Sequence, residues 1–398
     1  MELTLPELLE RRGRFISLMN NRFPSWDSAL IMESVNQYYL TGTIQDGIII
    51  IQRDGRFIFG VRRSLERARR ESPLPEGEIA GIATYRDLAT IQGGDLGETY
   101  LEGDIMTVVT RDRLARYFTM RDVGFLDALI RTQRSVKSPY ELEQIRKSGA
   151  MHQKLLEERV PGLLREGITE AEFLGELSRE MYALGYQGLA RFHQFQIDIA
   201  IGQIGFGTNA LSPTWFDGPG GSLGAGPWAP FSADPRRKLQ RGEPVFADVA
   251  FGMRGYHSDK TQVYYFGGPV PQEFLRAHRF CMDLQKRMAE MLKPGAIPSK
   301  IYEDIMASIP AGDQEHFMGV NPSHRVKFLG HGVGLNIDDY PVIARGFDEP
   351  LEAGMVLALE PKYAVPGIGM AGVEDTYLVT PQGGEPLTGG GREIIIVK

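Results

Sequence analysis

Apolar residues along this chain come in short runs whose period changes. Gly47 to Gln52 (GIIIIQ) and Arg56 to Gly60 (RFIFG) flank Asp54-Gly55. Compact apolar runs on either side of such a turn dipeptide predict a β-hairpin. Asp104 to Thr110 predicts a further strand, and Ser64 to Arg70, charged and free of Gly and Pro, predicts a surface helix. These elements compose an α/β segment that ends near Gln133.

Arg134 to Tyr140 (RSVKSPY) reads as a junction. Ser138-Pro139 is an N-cap followed by proline at the first helical position, and the helix it starts should run from Glu141 to Glu157 with apolar Leu142, Ile145 and Met151. Further helices are expected at about Glu170 to Leu184 and Gln272 to Leu292. Strands are expected at Gln196 to Ile201, Pro244 to Phe251, Gln262 to Phe266, Met355 to Glu360, Glu374 to Val379 and Glu393 to Val397. Helices and strands come in groups, which predicts an α+β chain of two domains, residues 1–135 and 136–398.

Gly202 to Arg241 breaks this pattern with Gly205-Phe206-Gly207, with Pro213 to Gly221 (PTWFDGPGG) and with Gly224 to Trp228 (GAGPW). A loop this long inside a compact domain is usually functional or disordered, and its aromatics argue against disorder. The alternative is a surface excursion with no role at a site. No internal repeat is visible.

Composition narrows the functional classes. At 398 residues the chain has room for two domains or one large enzyme. Its 44 Lys and Arg against 51 Asp and Glu give a net charge of −7, so nothing draws it toward nucleic acid or an anionic membrane. Lone Cys281 can make no intramolecular disulfide and no sulfur-rich metal site. The first residues lack an apolar signal core, and no run is apolar over the roughly 18 residues of a spanning helix. The expectation is a soluble cytoplasmic protein. Its 47 glycines are an excess that suggests tight turns and cleared space near a site.

Four short stretches carry acids and a histidine where apolar residues are expected. In Pro244 to Thr261, Asp248 sits inside an apolar strand and Asp259 follows eleven residues on. If the two flanking runs pair antiparallel, both carboxylates can face one spot. The bland alternative is a turn acid and a strand acid in an ion pair. His331 lies in FLGHGVGL, between glycines that would let a bulky ligand sphere approach the backbone. Glu360 ends the run MVLALE, and Glu374 enters the strand GVEDTYL. Four carboxylates and one neutral imidazole offset a charge of about +4, a suitable shell for two divalent ions. Oxygen-rich donors favour Mn2+, Fe2+, Co2+ or Zn2+.

In order and spacing these motifs resemble the pita-bread metallopeptidase family, which includes methionine aminopeptidase, Xaa-Pro aminopeptidase and prolidase. The resemblance covers the whole chain and implies a creatinase/prolidase-like N-terminal domain, the junction Arg134 to Ser138, and a pita-bread catalytic domain. It implies that Asp248 chelates one metal, that Asp259 and Glu374 bridge two, and that His331 and Glu360 complete the second. Glu360 would also be the catalytic proton shuttle. The implied activity is that of an Xaa-Pro dipeptidase or aminopeptidase, cleaving small peptides through a metal-bridging hydroxide. The implied cofactor is two divalent ions, manganese (Mn2+), Co2+, Fe2+ or Zn2+ with the choice among them open, and a homodimer is the expected assembly.

The resemblance fails at groups that position substrate. The family's second histidine would stand seven residues after His331, where this chain has Asp338, and an ionised acid cannot donate to an oxyanion. Thr214 stands where another family histidine would be, and Gln262 where an arginine is usual. Asp338 and Asp217 are candidate contacts for a cationic group, with Trp215, Phe216 and Trp228 as apolar or cation–π walls. Asp338 can equally be a solvated loop acid. His193 and His257 are candidates to reach the site, whereas His152, His278, His316 and His324 read as surface. Two other functions stay open: a non-peptide hydrolase or lyase on the same fold, and a catalytically silent peptide-binding module.

Overall fold

The computed structural model describes residues 2–194, 197 and 199–398, and the chain divides into two compact units, Met1–Arg134 and Ser135–Lys398. Both mix helices and strands, so the chain is a two-domain α+β protein.

The first unit holds six strands: β1 (Ser28–Ile31), β2 (Gly47–Gln52), β3 (Phe57–Val61), β4 (Ile79–Gly81), β5 (Asp95–Leu101) and β6 (Thr119–Phe125). They form one sheet in the order β4-β3-β2-β1-β5-β6. Ile48 to Ile51 on β2 are all fully buried, because both faces of this central strand are covered. The β2–β3 hairpin turns at Asp54-Gly55, where Gly55 takes φ +92° and Asp54 Oδ1 accepts the Arg56 amide at 3.0 Å. The strand expected at Asp104 to Thr110 is absent. Thr107 instead caps a helix, Val108–Leu114, by accepting the Thr110 amide through its hydroxyl. Val108 and Val109 are exposed, so their β-branched character found no sheet to join.

In the second unit the helix after the junction runs Pro139–Lys154. Ser138 Oγ accepts the Glu141 amide and Glu141 returns a carboxylate to the Ser138 amide, a capping box ahead of the predicted helix. Helices Glu170–Ala183 and Gln272–Met291 fall close to their expected places, and Pro298–Ala307 adds a fourth. The strands are β7 (Gly202–Phe206), β8 (Glu243–Met253), β9 (Tyr256–Phe266), β10 (Phe328–Gly332), β11 (Asp339–Ala344), β12 (Val356–Leu359), β13 (Lys362–Val365), β14 (Gly369–Gly372), β15 (Glu374–Thr380), β16 (Gly383–Pro386) and β17 (Ile395–Val397). The main sheet runs β11-β10-β12-β15-β9-β8-β7, with β16 on β15 and β17 on β9; β13 and β14 form a separate pair.

Of the strand expected at Gln196 to Ile201, residues 196 and 198 lie outside the described residues, and 197 and 199–201 hold no strand. The strand begins at Gly202, inside the stretch read as loop, because Gly202 to Phe206 find partners along Val249 to Val245 of β8. At the β8–β9 turn Arg254 and Gly255 both take positive φ, +51° and +91°, the geometry of a two-residue hairpin that matches strand twist. That turn extends β9 back to Tyr256, six residues earlier than the apolar pattern alone suggested.

Candidate metal centre

Period-two alternation decides which side chains of the β8–β9 hairpin face the site. On β8, Val245, Ala247, Val249 and Phe251 enter one core with Phe173 and Leu177, while Phe246 enters the other. Asp248 therefore shares the face of Phe246. On β9, Tyr264 and Phe266 belong to the first core and Val263 and Tyr265 to the second, which puts Asp259 and Thr261 on the face of Asp248. The register seats Asp248 opposite Thr261 and Asp259 opposite Ala250, so the pairing that brings both carboxylates to one face is present.

Two further strands deliver the rest. Glu374 opens β15 opposite Thr261, whose hydroxyl donates to Glu374 Oε2 at 2.9 Å. Glu360 follows directly on β12, and His331 on β10 lies opposite Ala358 of β12. The glycines beside His331 serve backbone packing. A Cβ on Gly330 would lie 2.2 Å from the Ala358 carbonyl, and one on Gly332 would lie 2.1 Å from that of Tyr340. Only glycine lets β10 fit between its two neighbours there.

His331 Nε2 lies 3.3 Å from Glu360 Oε1 and 3.8 Å from both Asp259 Oδ2 and Glu374 Oε1. Its Nδ1 is 3.2 Å from the Gly332 carbonyl, which can only accept, so in the neutral ring Nδ1 carries the proton and Nε2 keeps its lone pair. One donor atom each of Asp259, His331 and Glu374 lie within 4.8 Å of one another. Two carboxylate oxygens and an imidazole nitrogen at that spacing fit one divalent ion of the Mn, Fe, Co or Zn type, with bonds of about 2.0–2.2 Å for zinc.

The electrostatics match. Burial pushes Asp259 well above the carboxylate range, and the charges of Glu374 and Asp248 push it further. Asp248 is pushed up to about 7, chiefly by desolvation, with the Lys362 ammonium opposing and Glu374 adding to the rise. Burial alone would lower His331, but its hydrogen bond to Glu360 and the charges of Glu360, Asp259 and Glu374 raise it to about 10. The cluster holds more negative charge than its burial tolerates, which is the condition for drawing in a cation.

One group in this cluster was not anticipated. Lys362, on β13 and fully buried, extends its ammonium to 2.8 Å from Glu374 Oε2, 3.5 Å from Glu360 Oε2 and 3.7 Å from Asp248 Oδ2. These carboxylates hold it well above the usual lysine range against the opposing effect of burial. The available signal was its place two residues after Glu360 in a run of otherwise buried strand residues.

The candidate substrate residues fall in different places. Asp338 is turned inward: Oδ1 accepts the His193 amide at 2.6 Å and Oδ2 the Gln194 amide at 3.3 Å. Burial raises its carboxyl, and those amides act against the rise. It is therefore not a solvated loop acid: each oxygen fastens a backbone amide of the 193–194 loop, and each keeps a further lone pair. Trp215 and Phe216 pack on Phe231 with ring centroids at 5.0 and 5.5 Å, and Phe216 meets Phe192 at 6.0 Å. Asp217 is exposed, and Trp228 keeps 82% of its surface open. The long loop returns to the sheet at Gly220, where a Cβ would come within 2.9 Å of the Phe246 ring.

Three histidines depart from expectation. His257 is buried and held near pKa 4 by that burial; its ring meets the Gly334 carbonyl at 3.1 Å, the Gln187 amide nitrogen at 3.1 Å and the Arg191 amide at 3.3 Å. It braces two loops and does not join the cluster. His152 and His278, read as surface, have no exposed area: His152 meets Ser258 Oγ at 3.2 Å, and His278 meets the Arg392 carbonyl at 2.7 Å. Each lies on the inner face of its helix, where a polar contact offsets burial. His324 Nε2 reaches the Thr214 carbonyl at 2.5 Å, so an imidazole from a distant loop stands beside that threonine.

The family described as Metallopeptidase family M24 matches residues 143–381, and the Creatinase/Prolidase N-terminal domain matches residues 11–136. An uncharacterized peptidase of Staphylococcus aureus is 28% identical over 384 residues, 94% of this chain and 98% of that protein. The prolidase of Pyrococcus horikoshii superposes with a TM-score of 0.79 at 23% identity, covering 97% of this chain and 100% of that one. The X-Pro aminopeptidase of Thermotoga maritima does so with a TM-score of 0.75 at 21% identity, over 97% and 99% of the two chains. At these identities the solved structures attest the fold.

Proposed function

Because the chain belongs to metallopeptidase family M24, and so is a metal-dependent hydrolase of peptides, we propose that it cleaves small peptides of the Xaa-Pro type. The observation that carries the reading is the convergence of Asp259, His331 and Glu374 donor atoms within 4.8 Å of one another, with Glu360 Oε1 beside them at 3.3 Å from His331. The Xaa-Pro preference is supported by the prolidase and X-Pro aminopeptidase among proteins of like fold.

A divalent ion in this centre would supply an acidified water and a Lewis acid for the scissile carbonyl. The protein's own groups do the rest. Asp259, His331 and Glu374 would hold the ion, and the Gly332 carbonyl fixes the tautomer and tilt of His331. Glu360 would take the proton of the attacking water and return it to the leaving nitrogen. Lys362 holds one oxygen of Glu360 and one of Glu374, so both carboxylates keep a fixed orientation. A cytoplasmic homodimer, the expectation from sequence, completes the proposal.

A second reading is favoured by one observation. Position 338 presents a carboxylate committed to backbone amides, so an imidazole donor for a peptide intermediate is missing there. A non-peptide hydrolase or lyase would have no need of that donor.

The test is hydrolysis of Xaa-Pro di- and tripeptides by metal-stripped protein reloaded with Mn2+, Co2+ or Zn2+, beside the Glu360→Gln variant. Metal-dependent release of the N-terminal residue, lost in the variant, is the expected result. Bound metal without cleavage of any peptide would transfer the assignment to the second reading, and a protein that takes up no metal would be a binding module.

A further inference from the structure

Each of the two glutamates of the centre turns one oxygen to His331 and the other to Lys362, and Glu374 Oε2 also accepts the Thr261 hydroxyl. Glu360 turns Oε1 to His331 Nε2 at 3.3 Å and Oε2 to Lys362 Nζ at 3.5 Å. Glu374 likewise turns Oε1 to His331 at 3.8 Å and Oε2 to Lys362 at 2.8 Å. This is how carboxylates bridge two cations. On one side lies the space bounded by Asp259, His331 and Glu374, and on the other lies an ammonium, with Asp248 as its third carboxylate at 3.7 Å.

We propose that Lys362 takes the place of a second cation, so that the centre binds one divalent ion and not two. The proposal rests on the metal-dependent reading given above. The ammonium is built into this position. The lysine has no exposed area, and its stem lies under Gly372, where a Cβ would meet Lys362 Cα at 2.8 Å and Cδ at 3.0 Å. The Phe246 ring closes another side, its centroid 5.9 Å from Nζ. Asp248, the residue expected to chelate an ion of its own, belongs to the ammonium side. A divalent ion placed among Asp248, Glu360 and Glu374 would sit within a few ångströms of a fixed positive charge, in a medium that screens it poorly. Four carboxylates balanced by one ammonium and one divalent ion carry about one negative charge in excess. A bound cationic amino group of a substrate would complete that balance.

The test counts ions. Protein stripped of metal is titrated with Mn2+, and bound metal per chain is measured by elemental analysis and calorimetry, with electron paramagnetic resonance to show whether bound ions are isolated or exchange-coupled. Wild-type protein is expected to saturate at one Mn2+ with the resolved hyperfine spectrum of an isolated ion. Lys362→Ala is expected to take up a second and show coupling. Should that variant fail to fold, Lys362→Gln keeps part of the stem, removes the charge and carries the same expectation. Two coupled ions in the wild type would overturn the proposal and leave the peptidase reading standing, whereas no bound ion would overturn both. A folded variant that still saturates at one ion would also overturn it, because the lysine would then not be what excludes the second.

Discussion

Lys260 Nζ lies 2.6 Å from Asp375 Oδ1, and neither side chain keeps more than 1% of its surface exposed. Each is the chain neighbour of a proposed ligand, Lys260 of Asp259 and Asp375 of Glu374. They face each other in the β9–β15 register, one step from the Glu374–Thr261 pair. Thr388 Oγ1 and Gln285 Nε2 complete the Asp375 carboxylate at 2.8 and 3.4 Å. A slip of one residue would part this ion pair and turn Glu374 to the opposite face, so the pair pins the register on which the centre depends.

Removing one partner should therefore cost more than removing both. Lys260→Met strands a buried carboxylate and is expected to lower unfolding free energy by about 3–5 kcal/mol, read by denaturant unfolding. Lys260→Met combined with Asp375→Leu is expected to recover much of that loss. A loss no larger than that of an exposed pair would show that the strands hold register without it.

Glu360→Gln keeps size and one acceptor oxygen but removes the base. The folded variant should lose roughly 100-fold or more in kcat, with circular dichroism and thermal midpoint near those of the wild type. Equal activity would place the proton transfer elsewhere.

Metal uptake should release protons. In the metal-free protein His331 is raised to about 10 and Asp248 to about 7, while Asp259 is raised well above its ordinary value. A cation must displace protons from such groups, so affinity for Mn2+ should rise with pH from about 6 to 8. Calorimetry in buffers of different ionisation enthalpy should record net proton release on binding. The corresponding stability term of His331 has the opposite sense. A folded pKa above the unfolded value stabilises the metal-free protein below about 6.5, and that contribution is lost as pH rises toward about 10.

The first unit has its own titrating group. Glu102 is 1% exposed and is raised to about 7, chiefly by burial and then by the charge of Glu33, although it accepts the Met32 and Glu33 amides at 2.6 Å and Asn36 Nδ2 at 2.7 Å. Between about pH 4.5 and 7 the folded state then binds more protons than the unfolded state, so this group's contribution to stability falls as pH rises. The slope of stability against pH across that window should flatten in Glu102→Gln, measured as urea midpoints of the whole chain. An unchanged slope would mean that the carboxyl ionises in the fold as it does in water.

Asp338→Ala removes both acceptors from the His193 and Gln194 amides. Faster amide exchange at those two residues is the expected outcome, with metal content unchanged. A variant that loses its metal instead would tie the loop to the centre itself.

The sequence by itself determined the elements that rest on local chemistry. Ser138-Pro139 with Glu141 starts a helix because a hydroxyl, a fixed φ and a returning carboxylate satisfy its first amides, and Asp54-Gly55 turns a hairpin because glycine accepts positive φ. The acids set into apolar strands were equally legible, since a buried carboxylate must have a partner. Tertiary structure decided what depends on neighbours far along the chain. Gly202 to Phe206 became a strand because β8 offered an open edge. His152 and His278 were taken inside by the faces on which their helices pack. Lys362 lies two residues from Glu360 in sequence, but its placement against Glu374 and Asp248 depends on the β13–β14 pair, which seats its stem beneath Gly372. That hairpin is local, but Glu374 and Asp248 meet the lysine only through the pairing of β15 with β9 and of β9 with β8.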